Sequence, residues 1–131
     1  RRTVCVTGDG SLLMNLQELA TLADLGLPVK VLIMNNGQLG LVRQQQELFY
    51  EQRYHAVQFQ TAPDFAALAQ AFGLPAYNLG KLDDPEQALT AALEAPGPCV
   101  IDAPVHAGEN VFPMVPPGAA NRDMIGGLSH V

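Results

Sequence analysis

The chain has 131 residues, of which 48% are hydrophobic and 15% charged, a composition typical of one globular domain. Seven basic residues against thirteen acidic ones give a net charge of −6. Proteins that bind nucleic-acid phosphates need clustered Lys and Arg, so we expect no nucleic-acid partner. No apolar run has the length of a membrane span or forms a signal peptide, so we expect no membrane association. Cys5 and Cys99 lie in apolar runs without metal-type spacing, which predicts buried reduced thiols and a cytoplasmic location.

The amino-terminal part of the sequence predicts a βαβ unit. Apolar, β-branched runs over 4–7 and 29–34 are of strand length. Between them, apolar residues recur at helical spacing from Leu12 onward, and Gly26 followed by Pro28 ends the helix. A helix that connects two neighbouring strands indicates that the strands are parallel.

The elements after this unit predict the fold class. In chain order they are a helix over 41–52, a helix over 65–72 that ends at Gly73, a strand over 76–79, a helix that begins at Pro85 after an Asp84 cap, and a strand over 99–105. Their alternation predicts an α/β fold with a doubly wound, mainly parallel sheet and helices on both faces. From Gly108 onward, prolines and glycines preclude a continuous helix. We therefore expect an α/β domain over 1–107 and a loop-rich extension over 108–131.

Two polar motifs follow the two strands of the βαβ unit. They are Gly8-Asp9-Gly10-Ser11 and Asn35-Asn36-Gly37-Gln38. Because parallel strands end at the same edge of a sheet, Asp9 and Asn36 are expected to converge there. A carboxylate and an amide oxygen suit Mg²⁺, and the N–H groups that open the first helix suit a phosphate oxygen. Each motif alone also fits a turn or a helix cap, but the pair predicts a magnesium diphosphate site.

This pair of motifs resembles the signature of thiamine diphosphate (ThDP) enzymes. The resemblance implies that Asp9, the Asn36 side chain and the main-chain oxygen of Gln38 hold a Mg²⁺ ion. It implies that ThDP contacts these residues together with Gly8, Gly10, Ser11, Leu39, Gly40 and Leu41.

Longer segments resemble a narrower family, the carboxy-terminal domain of the acetolactate synthase large subunit. They are 11–19, 40–46, 63–73 and 113–119. This resemblance implies decarboxylation of pyruvate on ThDP and condensation of the two-carbon unit with a second 2-keto acid, in branched-chain amino-acid biosynthesis. It also implies a homodimer with the active site between subunits, and a possible small regulatory subunit.

The same resemblance implies that parts of the enzyme lie outside this chain. The Glu that activates ThDP is expected on an amino-terminal domain of the neighbouring subunit, so we expect no catalytic residue in this chain. FAD is expected on a middle domain, and the front part of the ThDP-binding fold is expected before Arg1. We therefore expect the isolated chain to be inactive. The extension over 108–131 is either an active-site lid or a loose end.

One position departs from the pattern of the acetolactate synthase family. The family usually has Gln-Trp-Gln where this chain has Gln44, Gln45 and Gln46, and the Trp packs against the alkyl group of the second keto acid. Leu41 and Gln45 are therefore the candidate substrate residues. A polar amide offers less apolar contact for an extra methyl group, so we expect weak preference for 2-ketobutyrate over pyruvate as acceptor. Alternatively, Gln45 is a solvated helix residue.

Two other functions also fit the motifs. A different ThDP-dependent 2-keto acid decarboxylase or oxidase would share the Mg²⁺ site. A flavodoxin-like, non-catalytic binding module would use 8–11 for a nucleotide phosphate and would bind it without regard to Mg²⁺.

Overall fold

The structure, a computed structural model, describes residues 1–126. The strands are β1 (Thr3–Gly8), β2 (Val29–Asn35), β3 (Ala76–Asn78) and β4 (Cys99–Pro104). The helices are α1 (Asp9–Leu13), α2 (Glu18–Leu25), α3 (Gly40–Phe49), α4 (Phe65–Ala71) and α5 (Pro85–Glu94), with single 3₁₀ turns at Leu79–Lys81 and Asn121–Asp123. Within residues 1–126, none of the helices has the length and apolar character needed to span a bilayer.

The four strands form one parallel sheet in the order β1-β2-β4-β3. Gly8 at the end of β1 pairs with Met34, and Asn35 at the end of β2 pairs with Pro104. The carboxyl ends of the three longer strands therefore lie at the same edge of the sheet.

Apolar residues cover both faces of this sheet. On one face, Val31 lies beside Val100, and both pack with buried residues of the helices α1, α2 and α4. These helix residues are Leu12, Leu19, Leu22, Phe65 and Ala69. On the other face, Leu32 lies beside Ile101 and packs with Ala92 of α5. Helices on both faces of a parallel sheet confirm the predicted doubly wound α/β fold.

The boundaries of two predicted helices differ from the sequence analysis. The first helix is interrupted between Leu13 and Glu18, where Asn15 N donates to Leu12 O in a tighter i to i+3 pattern. Asn is a weak helix former, which favours such a break. The helix predicted to reach Gln52 ends at Phe49, because Glu51 and Gln52 have φ angles of 54° and 59° that no right-handed helix accommodates.

The prediction that both cysteines are buried is wrong for Cys5. It lies on β1, at the edge of the sheet, where it is exposed. Its neighbours Val4 and Val6 are 47% and 64% exposed, so a β-branched apolar run does not mark a covered strand here. Cys99 on β4 is buried as predicted, and burial raises the pKa of its thiol.

The most deeply buried cation within the described residues is Lys30, near the amino end of the otherwise apolar β2. Its residue is 1% exposed, and its Nζ donates to the carbonyl oxygens of Ala95 and Gly97, each at 2.7 Å. Lys30 thereby fixes the loop between α5 and β4 to the amino end of the neighbouring strand. Hydrogen bonds from a charged donor are about twice as strong as neutral ones, which offsets the cost of burying the amine.

Replacing Lys30 with Met tests this role. Met keeps the length of the side chain but leaves two carbonyl oxygens without their donor, so the free energy of unfolding should fall by about 2 to 3 kcal/mol. Lys81→Met is the matched control, because Lys81 is largely exposed and its ion pair with Asp64 lies at the surface. The control should lose little stability, because an exposed ion pair contributes weakly. Chemical denaturation of both variants measures the difference, and equal losses would contradict the role of Lys30.

Candidate functional site

A cavity of about 480 Å³ opens at the carboxyl ends of β1 and β2. All the residues that the sequence analysis assigns to a cofactor line this cavity: Gly8, Asp9, Gly10, Ser11, Asn36, Gln38, Leu39, Gly40 and Leu41. The other lining residues are Met14, Met34, Val42, Gln44, Glu109 and Val111. The parallel register explains this convergence, because both motifs leave the same edge of the sheet.

The Asp9 carboxylate joins the two motifs directly. Asp9 is the first residue of α1 and is only 3% exposed. Its Oδ2 accepts a hydrogen bond from Gly37 N at 2.7 Å, and its Oδ1 accepts one from Gly10 N at 2.8 Å. Gly37 has a φ angle of 70°, which glycine adopts without strain. A carboxylate has about four lone-pair sites, so Asp9 keeps acceptor capacity for a cation.

The second motif forms a compact turn that positions the Asn36 side chain. Asn36 Oδ1 accepts a hydrogen bond from Gln38 N at 3.2 Å. A Cβ atom on Gly40 would lie 2.6 Å from Asn36 Nδ2, so a larger residue at position 40 would displace the amide. The main chain on either side of Gln38 is paired with the segment around Gln58 in an antiparallel bridge. These contacts fix the turn beside the cavity.

A buried polar network lies behind this turn. Asp102 on β4 is 2% exposed and accepts hydrogen bonds from the side-chain amides of Asn35 and Asn78. Burial raises the pKa of the Asp102 carboxyl, while the hydrogen bond from Asn35 acts in the opposite direction. Sequence analysis predicts the strand over 99–105 that contains Asp102 but assigns this residue no role. Its contact with Asn35 depends on the pairing of β2 with β4, which no local pattern reveals.

The electrostatic character of the cavity is acidic. Among the described residues, the lining contains Asp9 and Glu109 and no Lys or Arg. A diphosphate would therefore be repelled unless a cation lay between it and Asp9. Residues 1–126 contain no cluster of three or more His, Cys, Asp or Glu side chains that could hold a metal ion. A cation in the cavity would thus need amide, main-chain or phosphate oxygens in addition to Asp9.

The extension after β4 forms one wall of the cavity. Gln44 of α3 is 1% exposed, and its side-chain amide bonds both main-chain groups of Val111: Oε1 accepts from Val111 N and Nε2 donates to Val111 O, each at 2.8 Å. Gln38 Nε2 donates to the carbonyl oxygen of Ala107. Arg43 bonds Asn110 at 3.1 Å, so three side chains fix 107–111 against α3 and the preceding turn. The last residues of the predicted extension, 127–131, lie outside the described residues, and the predicted boundary between 107 and 108 stays a prediction.

The two candidate substrate residues lie in different places. Leu41 lines the cavity and is 63% exposed. Gln45, one turn further along α3, does not line it and instead borders a shallow depression with Gln46, Tyr50 and Arg53. Val42 borders both the cavity and this depression. The assignment of Gln45 to a substrate stays a prediction.

A parallel α/β sheet with a cavity at its strand ends is the architecture of a cofactor-binding domain. Residues 1–103 match the family model described as the thiamine pyrophosphate enzyme, C-terminal TPP binding domain. The chain belongs to this family, and thiamine pyrophosphate, another name for ThDP, is the cofactor that the domain binds.

The individual relatives are acetolactate synthases. The chain is 50% identical over 131 residues to the acetolactate synthase large subunit of Parasynechococcus marenigrum, an alignment that covers 99% of this chain and 21% of that protein. It is 47% identical over 126 residues to the acetolactate synthase isozyme 1 large subunit of Escherichia coli, covering 96% of this chain and 22% of that protein. The predicted resemblance to acetolactate synthase large subunits is confirmed. The chain spans about a fifth of the length of these curated relatives.

Proposed function

We propose that this chain is the cofactor-binding part of an acetolactate synthase. The longer protein would decarboxylate pyruvate on ThDP and transfer the two-carbon unit to a second 2-keto acid, which makes it a transferase. The observation that carries the proposal is the 50% identity to an acetolactate synthase large subunit along almost the whole chain. That alignment includes both motifs that meet at the cavity.

Mg²⁺ is the cation that fits the donors around the cavity. Its ligands would be the Asp9 carboxylate, the Asn36 side-chain oxygen and the main-chain oxygen of Gln38. Mg²⁺ prefers such oxygen ligands and is commonly completed by substrate phosphates and water. The absence of basic side chains from the described lining supports this proposal, because Mg²⁺ would then offset the charge of the diphosphate.

The residues of this chain bind and orient the cofactor rather than react. When bound, ThDP supplies the carbanion chemistry of decarboxylation and carbon–carbon bond formation. Asp9 and Asn36 anchor its diphosphate through the cation. Gly10 leaves room for the Leu39 side chain, because a Cβ atom there would lie 2.8 Å from Leu39 Cδ2. Leu41 and Val42 present apolar surface to the alkyl groups of 2-keto acids.

The remaining parts of the proposed enzyme lie beyond this chain. They are an activating Glu on an amino-terminal domain of a partner subunit, FAD on a middle domain and a possible small regulatory subunit. The proposed enzyme is a homodimer. Cys5 and Cys99 are both free cysteines, which supports a cytoplasmic location.

Asp9→Ala in the longer protein tests the proposed anchor. Loss of the carboxylate should raise the ThDP concentration for half-maximal acetolactate formation by about tenfold or more, because a cation ligand is lost. Excess ThDP and Mg²⁺ should partly restore activity. Asp24→Ala, an exposed position on α2, is the matched control and should behave as wild type. Unchanged activity of Asp9→Ala would contradict the anchor.

The same assay separates the alternative functions. A wild type that binds ThDP with Mg²⁺ but forms no acetolactate from pyruvate would indicate another ThDP-dependent decarboxylase or oxidase. A wild type that binds its ligand with the same affinity in the presence and absence of Mg²⁺ would favour a non-catalytic binding module.

Gln45→Trp tests the acceptor preference. An indole at this position should increase the yield of the 2-ketobutyrate product relative to acetolactate by about tenfold, because a methylene in an apolar pocket contributes about 1 to 3 kcal/mol. The measurement is the product ratio when both keto acids compete. Gln70→Trp, an exposed position on α4, serves as control. A wild type that already strongly favours 2-ketobutyrate would show that Gln45 does not set the preference.

The isolated chain should not turn over. It carries the proposed diphosphate anchor, while the activating Glu is expected elsewhere. Purified residues 1–131 should therefore form no acetolactate from pyruvate with ThDP and Mg²⁺, under conditions in which the longer protein is active. Detectable product from the isolated chain would place an activating group within these residues.

A further inference from the structure

Asp102 is a buried carboxylate behind the cavity rather than in its lining. It is 2% exposed and lies near the carboxyl end of β4. Its Oδ1 accepts a hydrogen bond from Asn35 Nδ2 at 3.0 Å, and its Oδ2 accepts one from Asn78 Nδ2 at 2.9 Å. Burying a carboxylate is costly even with such bonds, and a Leu of the same branched outline would avoid the cost. The carboxylate therefore needs a role that an apolar side chain does not provide.

That role follows from the orientation of the Asn35 amide. An ionised carboxylate only accepts hydrogen bonds, so the NH₂ group of Asn35 faces Asp102 and its carbonyl oxygen faces the opposite way. This oxygen accepts a hydrogen bond from Gly37 N at 3.1 Å. The same Gly37 N–H donates to Asp9 Oδ2 at 2.7 Å. Asp102 is thus connected, through Asn35 and Gly37, to the carboxylate of Asp9.

We propose that Asp102 is a positioning residue that orients Asn35, and thereby the turn at Gly37, so that Asp9 and Asn36 converge on one cation. The inference rests on the proposed function, because it takes Asp9 and Asn36 as the ligands. Mg²⁺ requires near-octahedral geometry, so displaced ligands bind it less well. Substitution of a group that holds a metal ligand in place typically lowers metal affinity by about 10- to 100-fold.

Two substitutions at position 102 separate orientation from charge. Asp102→Leu removes the acceptor for the NH₂ group of Asn35. The Asn35 amide can then turn, so that its oxygen no longer accepts the hydrogen bond from Gly37 N. The Mg²⁺ concentration for half-maximal ThDP binding should rise by about tenfold. Asp102→Asn removes the charge but keeps an oxygen that can face Asn35. Its NH₂ group then faces Asn78, whose partly exposed amide must turn its oxygen toward position 102 and give up the hydrogen bond from Gly80 N. This conservative variant should stay within about threefold of wild type, since the orientation of Asn35 is kept.

The measurement is isothermal titration calorimetry on the longer protein, with Mg²⁺ titrated at fixed ThDP. Val100→Ala, two residues away on the same buried strand, is the control for loss of stability alone. It should lower the melting temperature without changing the Mg²⁺ requirement. If Asp102→Leu does not fold, Asp102→Ala removes the same acceptor with a smaller side chain and should show the same rise.

The outcomes distinguish this inference from the proposed function. A wild type that binds ThDP only with Mg²⁺, together with an unchanged Mg²⁺ requirement in Asp102→Leu, would overturn the positioning role and leave the proposed function intact. Equal rises in the Leu and Asn variants would overturn it too, because the effect would then follow the charge. A wild type that binds ThDP without Mg²⁺ would overturn the cation site and this inference with it.

Discussion

The hydrogen bond from Gly37 N to the Asp9 carboxylate is the contact on which the cavity depends. Each partner follows directly from a strand: Asp9 is the first residue after β1, and Gly37 lies two residues beyond β2. The parallel pairing of the two strands brings them to the same edge. The bond then joins two turns that the helices α1 and α2 and the strand β2 separate in sequence. The strand pairing brings the two motifs to one edge, and this hydrogen bond holds them together beside one cavity.

The fold and the convergence of Asp9 and Asn36 could be predicted, because local sequence patterns indicate both. Apolar periodicity located the elements, and polar residues after two strands located the edge at which Asp9 and Asn36 lie. Lys30, Gln44 and Asp102 could not be assigned in this way, because each bonds at least one partner more than sixty residues away in the chain. The prediction that Cys5 is buried is wrong for a related reason: the exposure of this residue depends on the position of β1 at the edge of the sheet.

Within residues 1–126, the buried charges of the sheet strands lie near the two ends of the sheet. Lys30 lies near the amino end of β2 and Asp102 near the carboxyl end of β4, while the apolar residues that carry the packing lie between them. Lys30 bonds carbonyl groups of the segment before β4, whereas Asp102 bonds side chains at the ends of β2 and β3. Within residues 1–126, no buried side-chain nitrogen or oxygen lacks a hydrogen-bond partner. The sheet interior thus provides stability, and its polar ends fix the geometry of the loops.

Gln44 recognises the main chain of Val111 and not its side chain. The position of the wall therefore does not depend on the side chain at 111, provided that the residue is not Pro and keeps its main-chain N–H, and residue 111 is 74% exposed. Substitutions there can alter the size and polarity of the cavity mouth without changing the path of the backbone. Residue 111 is thus a site at which sequence drift or directed evolution can diversify ligand selectivity at little cost in folding.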